Sequence, residues 1–124
     1  MVFSKDGRTM ALIPVQADAG DPPQFMVPTQ LWIYKINEKA SSMVDGEEAV
    51  SDCDINKDGK RIAIGRWDGT VTMVDREGKK IWNRRVGGGS RVLFSPDEKS
   101  LLVGTSHGKV FLFDMDGNEK WSIK

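Results

Sequence analysis

The sequence predicts an all-β protein built from three four-stranded antiparallel units. Three observations carry that prediction. The chain resembles itself at an offset of 39 residues. Each copy divides into short β-prone runs separated by glycine-bearing turn sequences, at the roughly 8–12-residue spacing of consecutive strands. No segment sustains an i, i+3, i+4 apolar pattern over enough turns for a core helix.

The repeat is clearest in the second half. Gly65-Arg66-Trp67-Asp68-Gly69 through Asp75-Arg76-Glu77-Gly78-Lys79-Lys80-Ile81-Trp82 aligns with Gly104-Thr105-Ser106-His107-Gly108 through Asp114-Met115-Asp116-Gly117-Asn118-Glu119-Lys120-Trp121. Upstream, Asn56-Lys57-Asp58-Gly59 aligns with Ser95-Pro96-Asp97-Glu98, and Ile62 and Ile64 align with Leu101 and Val103. The second copy reads as strands Val50–Ile55, Arg61–Arg66, Thr70–Val74 and Lys79–Arg84. Lys-Asp-Gly, Trp-Asp-Gly and Arg-Glu-Gly separate them, glycine supplying the positive φ of tight turns. A further copy opens the chain. Phe3-Ser4-Lys5-Asp6-Gly7-Arg8 matches Ile55 to Lys60, Met10-Ala11-Leu12 matches Ile62 to Ile64, and Leu31-Trp32-Ile33-Tyr34 matches Val110 to Phe113. The offset to the last copy falls from 91 to 79 between these stretches, which places an insertion of about 12 residues within 14–29. Its Pro, Asp and Gln content is loop composition. The units are therefore expected at 1–46 with the insertion 14–29, at 47–87 and at 88–124.

Composition narrows the function. Eighteen basic residues balance eighteen acidic ones. This balance leaves no electrostatic footprint for nucleic acid or anionic lipid. One cysteine and one histidine exclude a disulfide framework, a multi-Cys zinc site and a His-rich metal centre. No apolar run approaches the roughly 18 residues of a membrane-spanning helix. No membrane or nucleic-acid partner is expected.

Four antiparallel strands per roughly 40 residues is the blade of a β-propeller. Phe94-Ser95-Pro96-Asp97 followed by Leu101-Leu102-Val103-Gly104 resembles the inner half of a WD-type repeat. The Asp75…Gly78-Lys79-Lys80-Ile81-Trp82 and Asp114…Gly117…Trp121 stretches resemble the Asp…Gly-Lys-x-x-Trp signature of quinoprotein-like (PQQ-type) repeats. The Asp-to-Gly spacing is one residue shorter than in the quinoprotein pattern, and the pattern's threonine is missing. The first copy has Lys35 and Ser42 where the others have the aspartate and the tryptophan. The resemblance implies that Trp82 and Trp121 dock neighbouring blades and that no quinone site transfers. It also implies an inner strand ending in Phe94 and an outer strand carrying Trp121. One loop face would then gather the insertion, Arg66-Trp67-Asp68, Ser106-His107 and the links 45–49 and 86–91.

Three blades fall short of the usual four to eight. The expectation is therefore either a piece of a longer propeller or a head-to-tail homo-oligomer, with two copies forming a six-bladed ring. Catalytic, cofactor and metal sites are expected to be absent, because packing and turns account for each repeat. Asp54-Ile55-Asn56-Lys57-Asp58-Gly59 starts like a calcium loop, but Gly65 stands where the bidentate glutamate belongs, so it reads as a β-turn. Gly87-Gly88-Gly89-Ser90 precedes a strand rather than a helix, so it reads as a link rather than a phosphate cradle. Cys53 reads as a small buried hydrophobe. The candidate binding face comprises Asp18, Asp21, Phe25, Met26, Arg66, Trp67, Asp68, Arg91 and His107. It would take a protein or small-molecule ligand. The function expected is a non-catalytic interaction scaffold. The alternatives are a piece of a quinoprotein-like propeller enzyme and a piece of an extracellular sensor or surface protein.

Overall fold

The structure is a computed structural model that describes residues 2–13, 30–44 and 49–123. It is all-β, with three four-stranded antiparallel sheets arranged as propeller blades. Sheet 1 holds β1 (Val2–Phe3), β2 (Thr9–Leu12), β3 (Leu31–Lys35) and β4 (Ala40–Val44). Sheet 2 holds β5 (Val50–Ile55), β6 (Arg61–Arg66), β7 (Thr70–Asp75) and β8 (Lys80–Arg85). Sheet 3 holds β9 (Ser90–Phe94), β10 (Ser100–Thr105), β11 (Val110–Asp114) and β12 (Glu119–Ile123). In each sheet the strands lie in chain order from one edge to the other. The expected strands of the second copy shift by at most one residue. β7 extends to Asp75 and β8 slides to Lys80–Arg85 because a register irregularity falls between Met73 and Val74.

Sheet 2 is sandwiched between its neighbours. One face packs Val50, Cys53, Ile55, Ile62, Ile64 and Val74 against Ala11, Leu31 and Ile33 of sheet 1. The other packs Ala63, Val71, Met73 and Trp82 against Val92, Phe94, Leu101, Val103, Phe111 and Phe113 of sheet 3. Burial on both faces explains why Ile62-Ala63-Ile64 runs without polar alternation and is fully enclosed. The leading strands lie side by side, β5 touching β1 on one flank and β9 on the other.

The conserved spacing of the turns has a hydrogen-bonding cause. Asp6 Oδ1 accepts the Arg8 amide, Asp58 Oδ1 the Lys60 amide and Asp97 Oδ1 the Lys99 amide, which closes the first turn of every sheet. Asp75 Oδ1 accepts the amides of Glu77 and Lys79, and Asp114 Oδ1 those of Asp116 and Asn118, all at 2.9 Å. These are side-chain-to-backbone turns, in which a carboxylate satisfies amides that no strand partner reaches. The Ser4 and Ser95 hydroxyls hold the Asp6 and Asp97 carboxyls below the ordinary value, and the Asn118 amide does so for Asp114. Lys35 stands at this position in sheet 1 and forms an ion pair with Glu77 of sheet 2.

The calcium-like stretch is a turn of the same kind. Asn56 Oδ1 accepts the Arg61 amide at 3.0 Å, and Gly59 takes φ +73°. Asp54 points elsewhere, accepting the Phe94 amide at 2.8 Å across the blade boundary. Cys53 is buried, and burial pushes its thiol up to about 11.

Candidate binding face

The second turns of sheets 2 and 3 and the link between these two sheets meet on one face. The Trp67 amide donates to Ala49 O at 2.9 Å, joining the turn after β6 to the link between sheets 1 and 2. The Val86 amide donates to Gly69 O at 2.7 Å, and the Ser106 amide to Gly89 O at 2.8 Å. The link between sheets 2 and 3 is therefore stitched to both flanking turns.

Glycine makes this possible by letting side chains lie on the link backbone. A Cβ on Gly89 would fall 2.2 Å from Trp67 Cε3, and a Cβ on Gly88 would fall 2.6 Å from His107 Cδ2. Any larger residue would lift these rings. Trp67 is supported from below yet stays 56% exposed, and His107 is exposed as well. Two rings held on a fixed backbone present contact area with little freedom to lose on binding.

The remaining candidates divide. Asp68 Oδ1 accepts both the amide and the hydroxyl of Thr70, at 3.0 and 2.6 Å, so it closes the turn that carries Trp67. Arg91 is exposed near the start of β9. Arg66 is buried at the end of β6 and makes its own interactions there. Asp18, Asp21, Phe25 and Met26 lie outside the described residues. The two tryptophans of the repeat also part company. Trp82 is buried and donates its indole N–H to Met115 O of sheet 3 at 3.0 Å, whereas Trp121 is 44% exposed.

Beside Trp67 the blades leave a cleft of about 400 Å3, lined by Ser51, Ser90, Arg91, Thr105 and Ser106 together with Trp67, Gly89 and Gly104. The Ser51 hydroxyl donates to Ser90 O at 2.7 Å and accepts the Ser90 amide at 3.2 Å, fixing the boundary between β5 and β9. The Ser90 hydroxyl is buried and has no partner among the described groups. Reading the sequence placed Ser106 on the loop face but missed Ser51 and Thr105 as cleft residues, and the glycine seats of the two rings. One signal was present: the three-glycine run occurs in the same link that follows the Trp67 turn.

Comparison with known proteins agrees with the blade architecture. The WD domain, G-beta repeat (WD40) family model matches residues 39–75, from the turn before β4 to the end of β7. WD repeat-containing protein 35 of Homo sapiens is 37% identical over 65 residues, covering 51% of this chain. Its counterparts in Rattus norvegicus and Mus musculus are 35% identical over the same length. The chain spans about 6% of the length of these relatives. A WD40 repeat is thus present, and the homologues found are WD-repeat proteins.

Proposed function

We propose that this chain is a non-catalytic protein-interaction scaffold. Its contact surface is the loop face built on Trp67, Asp68, Arg91 and His107. The observation that carries this reading is the pair of exposed rings seated on the glycine link. That arrangement constrains both the link and the rings without serving a core. The WD40 match supports it, since such repeats are protein-interaction modules. The quinoprotein-like alternative rests on the Asp…Gly…Trp spacing. In sheet 2 that spacing serves turn closure through Asp75 and blade docking through Trp82.

The reading extends to ring closure, with units 1–46, 47–87 and 88–124 as successive blades. One face of sheet 3 carries the cross-strand row Leu93, Leu102, Leu112 and Trp121. Leu93 is 58% exposed, and Ile123 beside this row is 61% exposed. The equivalent row of sheet 2, Asp54, Ala63, Met73 and Trp82, is covered by sheet 3. Sheet 1 offers the complementary outer face through Phe3, Met10 and Tyr34. Two copies joined head to tail would cover both faces and make six blades. The sheet 1 turn that would meet Trp121, Ile36-Asn37-Glu38-Lys39, lacks the glycine on which Trp82 rests. The closing contacts are therefore looser than the internal ones.

Two measurements test this reading. In a random-peptide display selection, enriched binders should lose binding to Trp67→Ala and His107→Ala and keep it with Lys5→Ala on the opposite turns. An absence of binders, or binders indifferent to the loop face, overturns the scaffold reading. Sedimentation at tens of micromolar should give twice the monomer mass, and a monomer at every concentration removes the ring.

A further inference from the structure

The outer groove between sheets 1 and 2 is bounded on both sides by strands of this chain, and closing a ring would not cover it. It measures about 380 Å3 and runs along β7 and β8 past Val44. At the next boundary Trp82 fills the matching space and rests on Gly117. Here Ser42 holds the tryptophan position, while the glycine is kept as Gly78. Val44 Cγ2 approaches that glycine, 3.1 Å from where a Cβ would lie, and a slot stays open beside Thr72 and Val74.

The wall of this slot is cationic. The register pairs Val74 with Lys80, Thr72 with Asn83 and Thr70 with Arg85, which puts Lys80 and Arg85 on the groove's side of β8. Both are exposed, and neither has an ion pair or a side-chain hydrogen bond among the described residues. Residues 76–85 hold five cations and one acid, in a chain of zero net charge. That acid, Glu77, is paired with Lys35. The one carboxylate lining the groove, Asp68, closes its own turn through Thr70. Edge strands often carry cations simply to prevent strand pairing. Yet β4 has no charged residue and β12 has one of each sign, so the excess is particular to this groove.

We propose that this groove binds an extended acidic segment of a partner protein. One apolar side chain of the segment fills the slot beside Val44 and Val74, and the carboxylates flanking it pair with Lys80 and Arg85. Charge complementarity selects the segment. The cations follow a single strand beside an apolar slot. That pattern matches alternating acidic and apolar side chains rather than the uniform charge of a lipid surface or a nucleic acid. Because both cations are exposed, binding weakens as salt rises. This surface is separate from Trp67 and His107, and it stands or falls apart from the loop face.

The test is an amide-shift titration of the 15N-labelled full chain with three short probes. Acetyl-Asp-Asp-Leu-Asp-Asp-amide carries both features. Its Asn-Asn-Leu-Asn-Asn analogue lacks the charge, and its Asp-Asp-Gly-Asp-Asp analogue lacks the apolar side chain. The first should shift the Thr72, Gly78, Lys80 and Asn83 amides and bind several-fold more tightly than either analogue. Lys80→Gln and Arg85→Gln should each weaken it about two- to fivefold, the scale of an exposed ion pair. Lys99→Gln, which removes the same charge from the turn after β9, should leave it unchanged. Ser42→Trp, which refills the slot, should abolish the preference for leucine over glycine. The retained spectrum of each variant reports that it is folded, and the Lys80→Gln result decides alone if Ser42→Trp does not fold. Equal binding of either analogue, indifference to Lys80→Gln, or no shift with any probe overturns the proposal. So does equal affinity for phosphatidylserine vesicles or for a ten-base oligothymidylate, which would make the strip a general polyanion surface. Binding that appears only when Asp45, Glu47 and Glu48 are replaced by their amides would make the chain's own link the occupant, and also overturns it.

Discussion

The two boundaries between blades are built from the same repeat positions and differ in how they are held. Between sheets 2 and 3 the outer half is locked by Trp82. Its ring lies 5.7 Å from Phe113, and its indole N–H reaches Met115 O at 3.0 Å. Arg61 Nη1 donates to the same carbonyl at 2.9 Å, and Arg84 Nε donates to Gly117 O at 2.8 Å. Near the leading strands, Asp52 and Asp54 accept the alternate amides of Val92 and Phe94 on β9. Between sheets 1 and 2 the tryptophan position is Ser42, and the outer half holds the Lys35–Glu77 ion pair and an open groove of about 380 Å3 beside Met43, Val44 and Gly78. Its core is aliphatic. The contrast teaches that the repeat specifies strands everywhere, while docking strength depends on a few side chains that the repeat does not guarantee.

Four tests break or sharpen this comparison. The largest effect is expected from Trp82→Ala, a loss of about 3–5 kcal/mol in denaturant unfolding, as for other buried aromatic truncations. Ser42→Ala at the matching position should fall within about 0.5 kcal/mol of the parent. Equal losses at the two sites would show that the boundaries are equivalent.

Gly117→Ala and Gly78→Ala come next. Both glycines have positive φ, +86° and +83°, so the backbone penalty is shared. A Cβ at Gly117 would fall 2.7 Å from Trp82 Cδ2, whereas at Gly78 it would meet Val44 Cγ2 at 3.1 Å. Gly117→Ala should therefore cost more, by about 1–2 kcal/mol, the scale of overpacking strain. Thermal melts of the pair would check this, and matching melting points would remove Trp82 from the explanation.

A smaller gain is expected in sheet 1. Lys39 is exposed with φ +51°, in a turn that places no glycine there. Lys39→Gly should stabilise by up to about 1 kcal/mol, because a left-handed conformation strains residues with a Cβ. An unchanged midpoint would mean that the turn relaxes around the lysine.

The smallest effect is a change of pH slope. Burial raises the Asp54 carboxyl above 3.8 despite its bonds to the Phe94 and Ile55 amides. A raised carboxyl binds its proton more tightly in the folded state than in the unfolded one. Asp54 therefore adds stability as pH falls through its folded value toward 3.8, and withholds it at neutral pH. Asp6, Asp97 and Asp114 act in the opposite sense. Their lowered values give stability above 3.8 that is lost as pH falls through them. Asp54→Asn should remove the mild gain above 3.8 and leave the acid loss below it, as read from unfolding midpoints across pH. An unaltered profile would show that Asp54 titrates normally.

Much of the fold was legible because its signals are local. Alternating apolar residues, a turn aspartate and a glycine recur at 39 residues, and antiparallel neighbours need nothing more distant than a tight turn. The candidate face was less legible. Trp67 and His107 stood out as loop residues, but Gly88 and Gly89 looked like a flexible link. Their need to lack a Cβ comes from rings some twenty residues away on either side. Arg66 was grouped with the surface because it adjoins Trp67, yet the register pairs it with Val50 and buries it.

By itself, the sequence determined the strands, their turns, their antiparallel order and the division into three similar units, because each depends on neighbours within one repeat. Only the tertiary structure decided which boundary is locked and which is open. It also showed which carboxylates bind backbone amides, and which glycines seat the Trp67 and His107 rings. Those outcomes depend on which side chain of one blade meets which backbone group of the next. A 39-residue period superimposes such positions without saying what stands across from them.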